Sequence, residues 1–149
     1  MEIKKTNASD IDALMRIRLE MLRVVNNLKS DAVFDKTLVE CSREYFLSGD
    51  QTTVFAMEQD KIAGCASLSY ISVMPTFDHP TGKRAHLMNV YTREAFRRLG
   101  VGKMMVQFLI EEAKSRGVTE ISLDATEMGH PLYNSLGFSD NREGMNLSI

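Results

Sequence analysis

The sequence predicts one domain of the α/β or α+β class, built on a mixed sheet. Three observations support this class. Strand-like and helix-like segments alternate along the chain, 149 residues suit a single hydrophobic core, and no linker, internal repeat or low-complexity stretch divides the sequence. The hydrophobic fraction of 44% and the charged fraction of 26% are ordinary for a globular protein. The expected domain therefore spans residues 1–149.

The first half of the chain predicts two helices followed by a β-hairpin. Residues 3–5 form a short first strand, and apolar residues at helical spacing then predict a helix from 11 to about 26. A second helix is expected over 35–47. The alternation over 52–58 and 62–73 predicts two strands joined by a tight turn, which together make a hairpin.

The second half of the chain predicts the most regular helix of the sequence. Apolar residues recur on one face of this helix, and Gly117 stands where a C-terminal glycine stop belongs. In chain order, we expect a loop at 75–83, a strand at 85–92, the helix at 100–116, a strand at 119–124, a short helix at 131–136 and a last strand at 145–149.

A glycine turn, Arg97-Arg98-Leu99-Gly100-Val101-Gly102, joins a strand to this regular helix. Glycines at such a junction let a ligand approach the backbone, and the new helix presents unpaired N–H groups at its positive end. A phosphate or pyrophosphate is the natural occupant. A turn that needs glycines only for packing is the alternative. The spacing lacks the third glycine of a dinucleotide fingerprint, and it lacks the first glycine and the Ser/Thr of a Walker loop.

Two segments carry a resemblance to a known family: the glycine turn, with Arg97, Gly100 and Gly102, and the later segment from Tyr133 to Phe138. The turn is similar to the pyrophosphate loop, Q/R-x-x-G-x-G/A, of the GNAT superfamily of acyl-CoA-dependent N-acyltransferases, and the later segment resembles that family's Tyr-x-x-x-Gly-Phe motif. The similarity covers roughly residues 85–138. It implies a mixed, mostly antiparallel sheet of about six or seven strands, flanked by about four helices, in which two central parallel strands splay apart.

The resemblance also implies that acetyl-CoA is the co-substrate. The pantetheine arm is expected between strands 85–92 and 119–124, with the pyrophosphate on the N–H groups of the glycine turn. The N–H of Val90 or Tyr91 would polarise the thioester carbonyl. Thr126 stands where the family often has an asparagine, and Asn134 is a candidate replacement donor. The expected cofactor-binding residues are Val90, Tyr91, Thr92, Arg97, Arg98, Leu99, Gly100, Val101, Gly102, Lys103, Thr126 and Asn134.

Tyr133 is the candidate general acid, because the resemblance puts it near the thioester sulfur. A phenol there can hydrogen-bond or protonate the leaving thiolate, although an aromatic anchor under the sheet is the alternative role. Many relatives carry a glutamate about where Met88 stands, so the general base is open. The remaining candidates are Glu20, His86, Asn89, Glu94 and water. His86 shares strand alternation with Met88 and Val90, which predicts one common face for the three.

The resemblance thus implies an N-acetyltransferase that moves an acetyl group from acetyl-CoA to a primary amine by direct attack. The acceptor is a small molecule or a peptide. A catalytically silent acyl-CoA-binding or regulatory module and a nucleotide-binding domain are the alternatives. Dimers formed through an edge strand are common in the family, so a homodimer is in keeping with the resemblance.

Composition and charge limit the classes of binding partner and the cellular location that we expect. The formal net charge of −2 gives no basic field for nucleic acid, and no apolar run approaches the roughly 20 residues that span a bilayer. The start of the chain does not resemble a signal peptide. Cys41 and Cys65 are expected to be buried or half-buried free thiols, and neither the cysteines nor the three histidines have metal-ligand spacing. We therefore expect a cytoplasmic enzyme that uses no metal.

Overall fold

Five strands and four α-helices form the fold in the computed structural model, which describes residues 1–141 and 143–149. The strands are β1 (Glu2–Lys5), β2 (Gln51–Glu58), β3 (Lys61–Ser72), β4 (Lys83–Thr92) and β5 (Glu120–Leu123). The helices are α1 (Ile11–Val25), α2 (Lys36–Ser48), α3 (Val101–Ser115) and α4 (His130–Ser135). Short 3-10 turns, Ala8–Asp10 and Glu94–Phe96, lie before α1 and α3.

The sheet is mixed and mostly antiparallel, as the sequence predicts. Its strands lie in chain order from β1 to β5; β1 to β4 pair antiparallel, and β4 pairs parallel with β5. A parallel pair needs a crossover connection, which α3 supplies. Helix α3 covers one face of the sheet, and α1 and α2 cover the other, so two hydrophobic clusters lie on opposite sides of one sheet.

The sequence pattern explains where α3 begins and ends. Its buried residues are Val101, Met105, Val106, Leu109 and Ala113, which recur at helical spacing on one face. Gly100 before the helix and Gly117 after it have φ values of +75° and +76°. L-residues with a side chain rarely adopt this left-handed conformation, so glycine is the natural residue at both ends.

The expected strand at 145–149 is not present, and the sheet has five strands instead of six or seven. The side chains of Met145, Leu147 and Ile149 are almost fully exposed. An alternating pattern favours an extended chain, but a strand also needs a partner edge, which local sequence does not specify. Within residues 1–141 and 143–149, strand β5 pairs only with β4, so its other edge has no partner strand there and lies beside a groove of about 1060 Å³.

A bulge interrupts β4 and changes the direction of its side chains. Cys65 pairs with Tyr91 and Ser67 with Met88, so one residue of β3 faces two residues of β4. Within the bulge Asn89 has a φ of +59°, which asparagine tolerates better than most residues.

The bulge overturns one prediction about β4. Met88 lies on the α2 side of the sheet, whereas Val90 packs on the α3 side. The expectation that His86, Met88 and Val90 share one face is therefore wrong for Val90, because the extra residue shifts the strand alternation.

The two cysteines have different environments. Cys65 is fully buried under α1, but Cys41 is exposed on α2, so the prediction of at least half-buried thiols is wrong for Cys41. Helix α2 buries only Phe46, which leaves most of its surface in solvent. Among the described residues, no helix combines the length and the apolar character needed to cross a bilayer.

Candidate active site

The site begins where β4 and β5 separate. Their parallel pairing runs from Arg84 opposite Glu120 to Leu87 opposite Leu123, where β5 ends. Strand β4 continues to Thr92 and keeps β3 as its partner on one side only. The splayed parallel strands of the predicted fold are therefore present. An extended ligand can add to such a strand edge through main-chain hydrogen bonds.

The residues expected to hold the pantetheine lie along this unpaired edge of β4. Val90 and Tyr91 follow the bulge, where regular pairing with β3 is interrupted. The side chain of Tyr91 is buried on the α1 side of the sheet, so only its backbone faces the gap. Thr92 lies beside the start of α3, because its Oγ1 would be 3.8 Å from a Cβ placed on Gly102.

An anion cradle lies at the open end of the gap. No backbone N–H group from Arg98 to Lys103 makes a hydrogen bond within the described residues, and the first N–H that does so is that of Met104, which donates to the Gly100 carbonyl at 3.0 Å. Arg98 and Gly100 both have positive φ values, +66° and +75°. Backbone N–H groups in such a turn converge on one point, and the positive end of α3 adds to their attraction for an anion.

The cradle has room and charge for a pyrophosphate. A Cβ placed on Gly100 would meet no atom within 4 Å, so the space in front of the turn is open. Gly102 is more confined, because a Cβ there would lie 3.3 Å from Leu132 of α4. Arg97 donates from Nε to the Thr92 carbonyl at 3.2 Å. The side chains of Arg98 and Lys103 are exposed at the turn.

The apolar residues of the turn have different surroundings. Val101 is buried in the core, so it can offer a ligand only its backbone, whereas Leu99 is exposed. The cradle is consistent with the predicted pyrophosphate loop, and the assignment of its individual residues to CoA binding stays a prediction.

Tyr133 of α4 is half-buried beside the same end of β5. Its ring packs edge-on against Phe138, with centroids 5.9 Å apart, and its hydroxyl makes no hydrogen bond within the described residues. Burial raises the pKa of Tyr133 above its usual value. The hydroxyl therefore stays protonated at neutral pH and is available as a donor. The ring contact also fits the aromatic-anchor alternative, so the catalytic role stays a prediction.

Thr126 and Asn134 use their side chains within the chain. The Oγ1 of Thr126 accepts a hydrogen bond from the Gly129 N–H at 3.1 Å, at the turn before α4. The amide nitrogen of Asn134 donates to Nδ1 of His130 at 3.1 Å. Both side chains keep further hydrogen-bonding capacity, and their contact with CoA stays a prediction.

Glu20 is a poor general base. The Arg93 guanidinium contacts its two carboxylate oxygens at 2.7 and 2.9 Å, and the Tyr91 hydroxyl donates to it at 3.0 Å. The hydrogen bonds from Arg93 are the largest cause that holds the pKa of Glu20 below its usual value. This network joins α1 to the end of β4, so Glu20 mainly fixes the position of the strand.

Of the other candidate bases, His86 has the most suitable position. Its Nδ1 lies 2.8 Å from the Ser122 hydroxyl, and its Nε2 lies 3.7 Å from a carboxylate oxygen of Asp124. His86 precedes Met88 by two residues, so both lie on the same face of β4, about 7 Å apart along the strand. Glu94 is exposed in the short turn before α3, and the amide of Asn89 has no basic atom.

A second cavity, of about 250 Å³, lies between α1, α2 and the bulge of β4. Of the described residues that line it, Arg18 alone is charged, and its Nη1 donates to the Asn89 side-chain oxygen at 3.0 Å. From the sequence, Arg16 and Arg18 are expected on a solvated face of α1, with Arg18 or Glu20 as residues that could reach an acceptor cleft; the structure places Arg18 in the lining of this cavity. The sequence contains a signal for this position: Arg18 follows Leu14 by four residues and precedes Met21 by three, which places it beside the buried face of α1.

Two splayed parallel strands with a glycine cradle at their open end are the arrangement that the sequence predicts for a GNAT acyltransferase. Comparison with known proteins agrees: the model of the acetyltransferase (GNAT) family matches residues 12–138. The chain belongs to this family and is an acyltransferase of the N-acetyltransferase type.

Three similar proteins extend this comparison. Glucosamine 6-phosphate N-acetyltransferase of Trypanosoma brucei brucei is 30% identical over 103 residues, which cover 68% of each chain. The Arabidopsis thaliana protein of the same name is 27% identical over 139 residues, covering 93% of this chain and 90% of its own. A predicted acetyltransferase from Clostridium acetobutylicum, crystallised with acetyl-CoA, superposes with a TM-score of 0.85 at 28% identity, covering 99% of this chain and 95% of that one.

Proposed function

We propose that this GNAT acetyltransferase transfers the acetyl group of acetyl-CoA to the primary amine of a small molecule by direct attack. The observation that carries the proposal is the run of backbone N–H groups from Arg98 to Lys103, which find no acceptor in the part of the chain that the structure describes and lie at the open end of the gap between β4 and β5. The Clostridium neighbour crystallised with acetyl-CoA supports the donor. The glucosamine 6-phosphate N-acetyltransferases support a small-molecule amine.

Acetyl-CoA supplies an activated thioester, and the chain's own groups orient and polarise it. The N–H groups of the cradle bind the pyrophosphate, and the edge of β4 binds the pantetheine through main-chain hydrogen bonds. The N–H of Val90 or Tyr91 donates to the thioester oxygen as negative charge develops there. The amine nitrogen forms the new bond to the carbonyl carbon, and the carbon–sulfur bond breaks.

Tyr133 stabilises the leaving sulfur mainly by donating a hydrogen bond. An ordinary phenol is already a weaker acid than a thiol, by about 1.5 pKa units, and burial raises the pKa of Tyr133 further. Complete proton transfer from the phenol to the thiolate is therefore uphill, but the hydrogen bond lowers the cost of the developing charge. The amine proton leaves through a water molecule. His86, which lies on the same face of β4 as Met88, accepts the proton from that water.

We also propose that residues 1–149 form one domain that assembles as a homodimer through the open edge of β5. The unpaired edge and the exposed, alternating Met145, Leu147 and Ile149 support this arrangement. Light scattering tests it: the parent protein is expected at twice the chain mass, and a Leu147→Lys variant at the chain mass. A parent protein that is monomeric at micromolar concentration would contradict the proposal.

Tyr133→Phe tests the catalytic part of the proposal. Thiol release from acetyl-CoA is followed with a panel of amines, and acetyl-CoA binding is measured by calorimetry. We expect kcat to fall by about 10²-fold or more with little change in the dissociation constant, because only the hydroxyl is lost. Tyr70→Phe is the matched control, since its hydroxyl bonds Thr52 at 2.8 Å within the sheet. Unchanged kcat in Tyr133→Phe would assign Tyr133 to packing alone.

The parent protein tests the alternatives in the same assays. Tight binding of acetyl-CoA without thiol release for any amine would favour the catalytically silent module. A larger thermal shift with ATP or NAD than with CoA would favour the nucleotide-binding domain.

A further inference from the structure

We infer that the acceptor is a small amine that carries an oxyanion, and that Arg18 binds this oxyanion in the cavity between α1, α2 and the bulge of β4. The inference rests on the proposed function and names the substrate class of that site. Three features of the structure support it: the partners of Arg18, its distance from the reacting position, and the lining of the cavity.

The guanidinium of Arg18 has no carboxylate partner among the described residues. It donates one hydrogen bond, to the neutral side chain of Asn89, out of five N–H groups. By contrast, Arg93 pairs with Glu20 and Arg116 with Asp50. Arg18 is half-buried, and burial lowers its pKa because desolvation penalises the charge. An oxyanion in the cavity would compensate this charge and accept from the remaining N–H groups.

The partner of Arg18 lies next to the reacting position. Asn89 directly precedes Val90, whose N–H is expected to bind the thioester oxygen, and consecutive Cα atoms are only 3.8 Å apart. An amine that attacks the thioester there and an oxyanion that reaches Arg18 must therefore belong to one compact molecule. In such a molecule a few bonds separate the two groups.

The cavity is otherwise mostly apolar and small. Leu38, Tyr45, Phe46 and Met88 contribute side chains, and its volume of about 250 Å³ equals roughly eight water molecules. This lining accepts a compact apolar body beside the charged group. A polyamine, an aminoglycoside or a lysine-rich peptide would instead bring a second positive charge to Arg18, and no lining carboxylate offsets the repulsion.

The oxyanion is a carboxylate or a phosphate, and matched acceptor pairs distinguish the two. Phenylalanine and phenethylamine differ by the carboxylate, and glucosamine 6-phosphate and glucosamine differ by the phosphate. Thiol release from saturating acetyl-CoA is measured for each, with spermidine as the polycation. We expect the oxyanion-bearing member of at least one pair to have a kcat/KM about tenfold higher or more.

Arg18→Gln is expected to abolish this preference, mainly by raising KM for the oxyanion-bearing member of the pair. Arg18→Lys should restore part of the preference, since it keeps the charge but loses the planar fork. Arg116→Gln is the matched control, because that guanidinium pairs with Asp50 outside the cavity. Calorimetry with N-acetylphenylalanine and N-acetylglucosamine 6-phosphate on the CoA-saturated protein reads binding independently of turnover.

Equal use of both members in both pairs, preference for spermidine, or an unchanged preference in Arg18→Gln would overturn the inference. Failure of the CoA-saturated parent to bind either acetylated product would also overturn it. These outcomes are distinct from failure of the proposed function. If only the inference is wrong, acetyl-CoA still binds and other amines release thiol; if the proposed function is wrong, no amine releases thiol.

Discussion

Gly100→Val should separate the binding role of the glycine turn from its role in folding. Gly100 has a φ of +75°, so a β-branched residue there adopts a strained left-handed conformation. This strain costs about 1–2 kcal/mol, which corresponds to a fall in Tm of about 2–8 °C for a domain of this size. A Cβ added at this position meets no atom of the described residues within 4 Å, apart from the adjoining residues of the chain, so the backbone strain is the main cost expected.

The same open space is where we place the pyrophosphate, so the substitution should weaken CoA binding. Loss of one charge-assisted hydrogen bond costs about 1.5–3 kcal/mol, which raises the dissociation constant by about tenfold to more than a hundredfold. Gly117→Val is the matched control. Gly117 has a φ of +76° at the opposite end of α3, and its Cβ would approach only the flexible side chain of Lys83, at 3.5 Å.

Isothermal calorimetry with CoA and thermal unfolding measure the two effects. Both variants should lose similar stability, and only Gly100→Val should lose affinity. If folded Gly100→Val binds CoA like the parent, or if Gly117→Val weakens binding equally, the turn serves packing and the cradle assignment is wrong.

Three further predictions concern charged or titratable side chains. Arg97→Ala should weaken CoA binding more at low salt than at high salt, because screening reduces a charge contact at this exposed side chain; equal losses in calorimetry at both salts would give Arg97 a structural role only. Glu20→Gln should destabilise the protein by at most about 1 kcal/mol near pH 7, since Glu20 and Arg93 are each about one-third exposed. The folded-state pKa of Glu20 is lowered, so its stabilising effect is fully present above the unfolded value of about 4.3 and is lost as the pH falls through the lower, folded value. In an acid denaturation series, the stability difference between parent and variant should therefore begin to shrink below about pH 4 and disappear at more acid pH. A constant difference would contradict the linkage. His86→Gln should lower kcat with little change in acetyl-CoA affinity, and an unchanged kcat would leave water as the sole proton acceptor.

Local pattern predicted the parts of the fold that depend on neighbouring residues. The period of α3, its glycine ends and the hairpin of β2 and β3 all follow from contacts within a few residues. The bulge of β4 could not be predicted in this way, because a residue is recognised as extra only when the strand is paired with its partner. Asn89 was the one local signal, as an asparagine that tolerates positive φ.

The features of the candidate site likewise divide into local ones, which the sequence predicts, and long-range ones, which it does not. The cradle was visible as a motif, since its geometry comes from consecutive backbone groups at one helix end. The pairing of Glu20 with Arg93 joins residues 73 positions apart, and the bond from Arg18 to Asn89 joins residues 71 apart. Such partners are chosen by the packing of α1 against β4, so sequence spacing alone left Glu20 among the candidate bases.

The amino-acid order alone was sufficient for the family, and it predicts the donor and the place of the pyrophosphate, because the motif that carries these predictions is one stretch of contiguous backbone. Tertiary packing alone made Glu20 a structural anchor, moved Val90 to the α3 face and left β5 with an open edge. It also brought Arg18 to the bulge. Long-range contacts select among charged and apolar residues that look equivalent along a helix or a strand, and the acceptor site that we propose is made of such contacts.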